Sequence, residues 1–310
     1  MQDKIDLLVL PAIKNIEEIV RGVLKPIRLT KGKFCDLEFR FKDNALSLIH
    51  SGVDIKNFSY VWLSSYWGSR DLAYAVKLYL EHFMIRHTFV EKATSKVTDQ
   101  IIFALNHISI PNTFFIDNPD ISNCVETIED ICGYPLIIKD ITGSGGKSSV
   151  LIGNRIELIR ESARLDKHKK YLFQKYIPNE YDWGILISNG KVVSAEQSYP
   201  EVGEFRNNSC NGATEVFMGL EFVPEHVKKM ALQASSALGL SWSRSDIVVD
   251  KDTNIAYLME VNRCPGVTAG TSEVVGAQDF LRSHLKTEPA FVIDQQLPVI
   301  LLSQTKREGT

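Results

Sequence analysis

The chain has 310 residues, 44% of them hydrophobic, and a formal net charge of −3. The near balance of charge argues against a dedicated nucleic-acid-binding protein. No apolar run predicts a signal sequence or a membrane span, so neither nucleic acid nor a membrane is an expected partner. The five cysteines are scattered and include no Cys-x-x-Cys pair, which favours a reducing, cytoplasmic location. A chain of this length exceeds one usual core, so we expect two or three subdomains.

The amino-terminal part shows the alternating pattern of an α/β domain. Residues 5–10 predict an opening strand, and a helical pattern follows to about Leu24. Residues 39–49 predict a hairpin, and residues 58–63 predict a further strand.

A polar loop follows residues 58–63 and leads into an amphipathic helix. Such loops are where α/β domains often place ligands, so Trp67 and Arg70 are candidate substrate contacts. The alternative interpretation is a plain helix cap, provided by Ser69 or Asp71.

The middle of the chain contains a Gly-rich loop between two predicted strands. A helix over 122–132 closes at Gly133, and the strand that follows ends in Lys139. Backbone N–H groups of a Gly/Ser loop can surround phosphate oxygens, and a lysine before the loop adds a point charge. The loop is not a P-loop, because its spacing differs and a strand rather than a helix follows. A simple turn is the alternative. The loop residues are Gly143, Ser144, Gly145, Gly146, Lys147 and Ser148.

Two predicted strands near the carboxyl end carry the strongest candidates for a metal site. Side chains alternate along a strand, so Glu260 and Asn262 are expected on one face, with Asp246 and Arg244 of the preceding strand beside them. The opposite face is expected to carry Tyr257, Met259 and Val261. Two carboxylates and an amide oxygen suit Mg²⁺ when phosphate and water complete its coordination. A hairpin with a solvated carboxylate face is the alternative.

Taken in order, these motifs resemble the ATP-grasp superfamily, and within it the RimK-like ligases and the related ligases that modify ribosomal peptides. The order is a strand-end lysine, a Gly-rich flap, Gln-Lys-Tyr-Ile, Asp182, Phe-Arg-x-Asn, Asp-Ile and Met-Glu-Val-Asn-x-x-Pro-Gly. The resemblance covers about residues 90–285. It implies an α/β (α+β) ATP-grasp fold, in which two α+β subdomains grip ATP beside an N-terminal pre-grasp α/β domain. The implied boundaries are 1–92 for the pre-grasp domain, 93–173 for the central lid, 174–290 for the C-terminal subdomain and 291–310 for a tail.

The resemblance also implies site residues and cofactors, ATP and Mg²⁺, with two ions expected and Mn²⁺ as a substitute metal. The implied metal ligands are Asp246, Glu260 and Asn262, and the implied catalytic residues are Arg206 and Lys139. The implied nucleotide contacts are Lys96, Lys139, Gly143, Ser144, Gly145, Gly146, Lys147, Ser148, Gln174, Lys175, Tyr176, Ile177, Asp182, Arg206 and Asn208.

One departure from the family pattern concerns the substrate. Gly184 stands where RimK-like members commonly carry an arginine, so Arg244, or Arg206 alone, is expected to supply that charge. Arg244 is therefore the third candidate substrate contact.

The predicted function is that of an ATP-dependent carboxylate–amine ligase that acts through an acyl phosphate. The expected substrate is an amino acid or a peptide, with a ribosomal precursor peptide among the candidates, and a homo-oligomer is compatible with the sequence. The alternatives are an ATP-grasp kinase or phosphotransferase and a non-catalytic nucleotide-binding protein. Cys210 and Cys264 lie near the expected site, where packing thiols are favoured over nucleophiles. Trp183 and Trp242 are interpreted as core or substrate-wall aromatics.

Overall fold

The computed structural model describes residues 4–43, 45–92, 94–117, 121–143, 149–207 and 212–286. The strands are β1 (Ile5–Leu10), β2 (Ile27–Lys31), β3 (Leu37–Lys42), β4 (Ala45–His50), β5 (Val53–Asp54), β6 (Tyr60–Leu63), β7 (Thr113–Phe115), β8 (Leu136–Asp140), β9 (Ser149–Ile152), β10 (Tyr171–Lys175), β11 (Asp182–Ser188), β12 (Lys191–Tyr199), β13 (Thr214–Met218), β14 (Trp242–Val249) and β15 (Ala256–Asn262). The α-helices are α1 (Ile16–Arg21), α2 (Arg70–His82), α3 (Lys96–Leu105), α4 (Val125–Cys132), α5 (Arg155–Ser162), α6 (Glu225–Ala237) and α7 (Ser272–Lys286).

The first region is built on a parallel sheet in the order β2-β1-β6. Alternate residues of β1 face different layers, so Leu7 packs with α1 and α7, while Leu8 packs with α2 and the β3-β4 hairpin. The sequence did not predict β2, and the helical pattern through Leu24 was too long. The helix ends at Arg21 because the chain must turn back to pair β2 with β1.

The second region is an antiparallel sheet in the order β7-β10-β8-β9. The helices α4 and α5 cover one face, with Phe173 fully buried between them and the sheet. Gly133 ends α4 with a φ of +64°, a conformation that suits glycine and turns the chain into β8. The other face carries Lys139 and opens towards the third sheet.

The third region is an antiparallel sheet in the order β13-β12-β11-β14-β15. Helix α6 covers one face, and α7 packs on the other face against β11 and β12. Asn189 and Gly190, with φ values of 47° and 72°, form the tight turn predicted between β11 and β12. Helix α7 is longer than the short helix predicted near residues 277–285, because its first turn is also buried.

A β-bulge interrupts the pairing of β14 with β15. Asp246 faces Glu260 and Ile247 faces Leu258, so Met259 has no partner on β14. The extra residue shifts the alternation of β15 by one position before Glu260.

Within the described ranges, no helix combines the length and apolarity needed to cross a membrane.

Candidate active site

The structure brings the three predicted metal ligands together. Asp246 on β14 faces Glu260 on β15 in register, and the amide Nδ2 of Asn262 donates to Oδ2 of Asp246 at 3.0 Å. All three line one cleft of about 270 Å³ between the second and third sheets.

The bulge corrects the predicted assignment of faces on β15. Leu258 and Val261 both pack in the core beneath α6, whereas Met259 lines the cleft beside Glu260. Tyr257 faces Val248, another residue of the cleft wall, across the strands. Strict alternation was therefore the wrong assumption, because a bulge breaks the period of two.

The two carboxylates of the metal site, Asp246 and Glu260, are half-buried and lie near further acidic side chains. Burial, then the nearby charge of Glu260, raises the pKa of Asp246 to about 7, although Arg244 opposes the shift. Burial and the charges of Asp246 and Glu196 raise the pKa of Asp182 well above its ordinary value. A hard cation between Asp246 and Glu260 would relieve their repulsion, and the oxygens of Asp246, Glu260 and Asn262 are the donors that Mg²⁺ prefers. The side chains present therefore fit a magnesium site.

This fit rests on a mixed donor set. In the described part of the chain, no group of three or more His, Cys, Asp or Glu side chains could hold a metal ion. The candidate set has only two carboxylates, and the amide oxygen of Asn262 is its third donor.

Two lysines reach the same cleft from the second sheet and from α3. Burial, together with the positive charge of Lys96, lowers the pKa of Lys139 to about 8, while Glu260 and Asp246 oppose the shift. Its Nζ donates to Oε1 of Gln174 at 2.6 Å. The Nζ of Lys96 donates to the carbonyl of Gly143, also at 2.6 Å, at the start of the predicted flap.

The predicted hinge residues do not all face the cleft. Gln174 is buried and donates to Oγ1 of Thr113 at 2.9 Å, so its amide holds Lys139 in place instead of facing the cleft. The backbone N–H groups of Lys175 and Tyr176 donate to Asn112 and Pro135 of the protein itself. The side chains of Tyr176 and Ile177 line the cleft, as does Asp182.

Arg206 lines the cleft within a two-pronged ion pair. Its Nε and Nη2 atoms donate to Oε1 and Oε2 of Glu204 at 2.9 and 2.6 Å, and these bonds lower the pKa of Glu204 to about 2. The remaining predicted residues of this group fall outside the described residues: Ser144, Gly145, Gly146, Lys147, Ser148, Asn208 and Cys210.

Arg244, the third candidate substrate contact, is neutralised by two carboxylates. It pairs with Glu196 at 3.1 Å and with Glu273 of α7. Gly184 makes the first pair feasible, because a Cβ there would lie 2.6 Å from Oε1 of Glu196. The departure from the family pattern at Gly184 therefore leaves room for a carboxylate that neutralises Arg244.

The loop after β6 carries the other two candidate substrate contacts, Trp67 and Arg70, and both contact groups of the protein itself. Arg70 is buried against Asp99, and its guanidinium lies over the ring of Trp67, 3.6 Å from the centroid. Trp67 donates its indole N–H to Glu260 at 2.7 Å. Ser69 occupies the N-cap position of α2 without capping it, since its hydroxyl bonds the backbone of Tyr66 instead.

Several buried or half-buried charged residues of this region were missed by the sequence interpretation. They are Glu91, Asp99, Glu196, Arg263 and Glu273. Each is an isolated charge without a motif of its own. Arg263 alone offered a signal, because it directly follows the predicted ligand Asn262.

The environments of the cysteine and tryptophan side chains near the site favour packing roles over chemical ones. Burial raises the pKa of the Cys264 thiol to about 11, which disfavours a reactive thiolate. Trp183 and Trp242 are buried in the core, as predicted.

Sequence comparison with known proteins finds a family model and named relatives that match the greater part of the chain. A family model described as the RimK-like ATP-grasp domain matches residues 93–279. A relative named as a probable alpha-L-glutamate ligase, from Psychromonas ingrahamii, is 27% identical over 208 residues, which cover 64% of this chain and 66% of the relative. The match thus spans just under two thirds of that relative's length.

Solved structures resemble almost the whole chain. The ATP-grasp ligase PsnB in complex with a minimal precursor superposes with a TM-score of 0.62 at 16% identity, covering 90% of this chain and 99% of its own. D-alanine–D-alanine ligase from Bacillus anthracis in complex with ATP gives a TM-score of 0.60 at 17% identity, covering 91% and 98%. These likenesses confirm the predicted ATP-grasp fold.

Proposed function

Because the chain belongs to the RimK-like ATP-grasp family, we propose that it is an ATP-dependent carboxylate–amine ligase. One observation carries the proposal: Asp246, Glu260 and Asn262 meet Lys139 and Arg206 around a single cleft of about 270 Å³. Phosphoryl transfer needs positioned cations and metal ligands more than a covalent nucleophile, and this arrangement supplies both.

The reaction would proceed in two balanced steps. A substrate carboxylate oxygen attacks the γ-phosphorus of ATP, and the bond between that phosphorus and the β-phosphate oxygen breaks. ADP is released, and the substrate becomes an acyl phosphate. An amine then attacks the acyl carbon, expels phosphate, loses a proton and forms the amide.

In this proposal some side chains of the cleft hold the metal ions and others orient the phosphates. Asp246, Glu260 and Asn262 would hold one or two Mg²⁺ ions, or Mn²⁺ as a substitute. When bound, Mg²⁺ supplies positive charge that neutralises phosphate oxygens. Lys139 would orient the phosphates from the second sheet, and Arg206 would exchange part of its pairing with Glu204 for the transferring group.

The remaining nucleotide contacts would follow the family pattern. Lys96 and Gly143 would anchor the flap formed by Ser144, Gly145, Gly146, Lys147 and Ser148, with Asn208 beside Arg206. At the hinge, Ile177 is the best candidate for a backbone bond to adenine, because the N–H groups of Lys175 and Tyr176 are already bonded. Asp182 would meet the nucleotide near its ribose, and Gln174 would support Lys139.

We propose an amino acid or a peptide as the substrate. The relative from Psychromonas ingrahamii is named as a probable glutamate ligase, and PsnB was solved with a minimal precursor. Both names support a carboxylate or an amine on an amino acid or peptide, and a ribosomal precursor peptide is the narrower form of the proposal.

The test is nucleotide turnover by the purified full chain with ATP and Mg²⁺, while pools of amino acids and peptides are added. We expect ADP, and no AMP, to appear only with a particular acid and amine together. AMP release would contradict the acyl-phosphate route, and a stable phosphorylated product without an amine would identify a kinase.

A paired substitution links this turnover to the site. Glu260→Gln should abolish ADP release with little change in melting temperature, because the cleft loses one metal-binding charge. Glu225→Gln, on the exposed start of α6, should leave turnover unchanged. A fully active Glu260→Gln protein would refute the assignment.

A further inference from the structure

The indole of Trp67 connects the first sheet of the molecule to the candidate metal site. Its Nε1–H donates to Oε1 of Glu260 at 2.7 Å, across 193 residues of sequence. Trp67 precedes residue 93, so this contact comes from a part of the chain outside the family match. A hydrogen bond to an ionised oxygen is short and strongly directional, so this contact fixes the rotation of the Glu260 carboxylate.

Three cations lie around the indole ring of Trp67. The guanidinium carbon of Arg70 lies 3.6 Å from the ring centroid, the Nζ of Lys96 lies 5.3 Å away, and the guanidinium carbon of Arg263 lies 5.7 Å away. Arg70 and Arg263 are 3% and 5% exposed. Cations over an aromatic ring attract it, and buried ones cannot exchange this contact for water, so the ring has little freedom to turn.

One carboxylate joins the two arginines. Asp99 of α3 accepts hydrogen bonds from Nη1 and Nη2 of Arg263 at 2.7 and 2.8 Å and lies 3.5 Å from Nη2 of Arg70. Glu91 pairs with Nε of Arg263 at 2.7 Å. We call Arg70, Glu91, Asp99 and Arg263 the arginine cluster. Because Arg263 directly follows Asn262, the cluster joins α2, α3 and β15 behind the metal ligands.

We propose that Trp67 is a positioning residue for the metal site, whose indole N–H holds the Glu260 carboxylate in the orientation that binds a divalent cation. This inference rests on the proposed function, since it takes Glu260 as a metal ligand. Partners of metal ligands orient them before the ion arrives, and their loss typically lowers metal affinity or activity by about 10- to 100-fold. Trp67 then acts through Glu260, which replaces its predicted role as a substrate contact.

The substitution Trp67→Phe tests this role, because it removes the N–H and keeps an aromatic ring beneath Arg70. The measurement is Mn²⁺ titration of the full chain in the presence of ADP, with free Mn²⁺ followed by electron paramagnetic resonance. We expect Mn²⁺ to bind about 10- to 100-fold more weakly. ADP binding without metal and the melting temperature should stay close to the wild-type values.

Trp62→Phe is the matched control. Trp62 lies on β6 and is fully buried, and its Nε1 has no hydrogen-bond partner among the described residues. This change should lower the melting temperature by loosening the core, while Mn²⁺ affinity stays unchanged. An equal loss of Mn²⁺ affinity in Trp62→Phe would show that any disturbance of this sheet weakens the site, and it would overturn the proposal.

Glu260→Gln separates a failure of this inference from a failure of the proposed function. If Glu260→Gln weakens Mn²⁺ binding but Trp67→Phe binds as tightly as the wild type, or more tightly, the positioning role is wrong and the metal site stands. If Glu260→Gln leaves Mn²⁺ binding unchanged, the metal site fails, and the proposed function fails with it. In support of the inference, Trp67→Phe should add little further loss in the Glu260→Gln background, because the orientation of residue 260 no longer matters once it does not ligate the metal.

Discussion

The substitution Asp99→Asn should strongly destabilise the protein, although it changes one atom type in an isosteric side chain. Asp99 is 3% exposed and faces two guanidinium groups, with two hydrogen bonds of 2.7 and 2.8 Å to Arg263 and a 3.5 Å approach to Arg70. Two cations and two anions balance in the arginine cluster. Loss of the Asp99 charge leaves one buried positive charge uncompensated. It also removes the anion between Arg70 and Arg263, and burial, then the charge of Arg263, already lowers the pKa of Arg70.

The expected loss in the free energy of unfolding is that of a buried ion pair from which one partner is removed while the other stays charged. Removing one partner typically costs about 3–5 kcal/mol, because the other partner keeps its desolvation penalty. Urea unfolding of the full chain, followed by circular dichroism, measures the change in the free energy of unfolding. Asp279→Asn is the matched control, since Asp279 pairs with Arg282 at 2.5 Å with its side chain 63% exposed, and it should cost at most about 1 kcal/mol. A cost below about 1 kcal/mol for Asp99→Asn would refute the account of the cluster as dry and charge-balanced.

Two further predictions concern the cleft. Burial lowers the pKa of Lys139 to about 8, so its charge is present at pH 7 and largely lost at pH 9. Because this charge is proposed to hold the phosphates, the affinity for ADP should fall by up to about tenfold over this range, measured by calorimetric titration in EDTA. Lys139→Arg should remove that dependence, because guanidinium stays charged, and a flat wild-type profile would contradict the role of Lys139. Gly184→Ala should cost about 1–3 kcal/mol in thermal unfolding, because its Cβ would lie 2.6 Å from Oε1 of Glu196, whereas Gly266→Ala meets nothing within 4 Å. The cost at Gly184 should shrink in a Glu196→Ala background; full additivity would show that the two side chains do not collide.

The sequence predicted those parts of the site that local patterns encode. Turn residues between two β-rich runs predicted the β14-β15 pair, and alternation brought Glu260 and Asn262 to one face with Asp246. The order of motifs predicted the ATP-grasp fold, which the structural likenesses confirm. The nucleotide and metal roles and the subdomain boundaries stay predictions.

The rest depended on contacts between residues that are distant in the chain. The contact of Trp67 with Glu260 spans 193 residues, and Asp99 meets Arg263 across 164. None of these four residues has a local sequence signature, because a single charged residue or tryptophan looks the same in the sequence whether its side chain is solvated or buried. Arg244 was assigned to the substrate for the same reason: its neutralising carboxylates come from β12 and α7.

The bulge at Met259 sets a rule of parity for changes to this protein. The link between β14 and β15 runs from Asp250 to Ile255, so it lies outside the pairing that aligns the ligands. Between Ala256 and Glu260, however, an even or odd count decides which side chains enter the core. Met259 is the exception, because it is the unpaired residue. Deleting it would remove the bulge and restore strict alternation, with Leu258 and Ala256 still in the core beneath α6 and Glu260 still facing Asp246. Deleting Leu258 while the bulge is kept would instead bring Tyr257 opposite Ile247 and turn Ala256 out of the core. Loop grafting and chimeras with relatives should therefore count positions on β15 from the bulge.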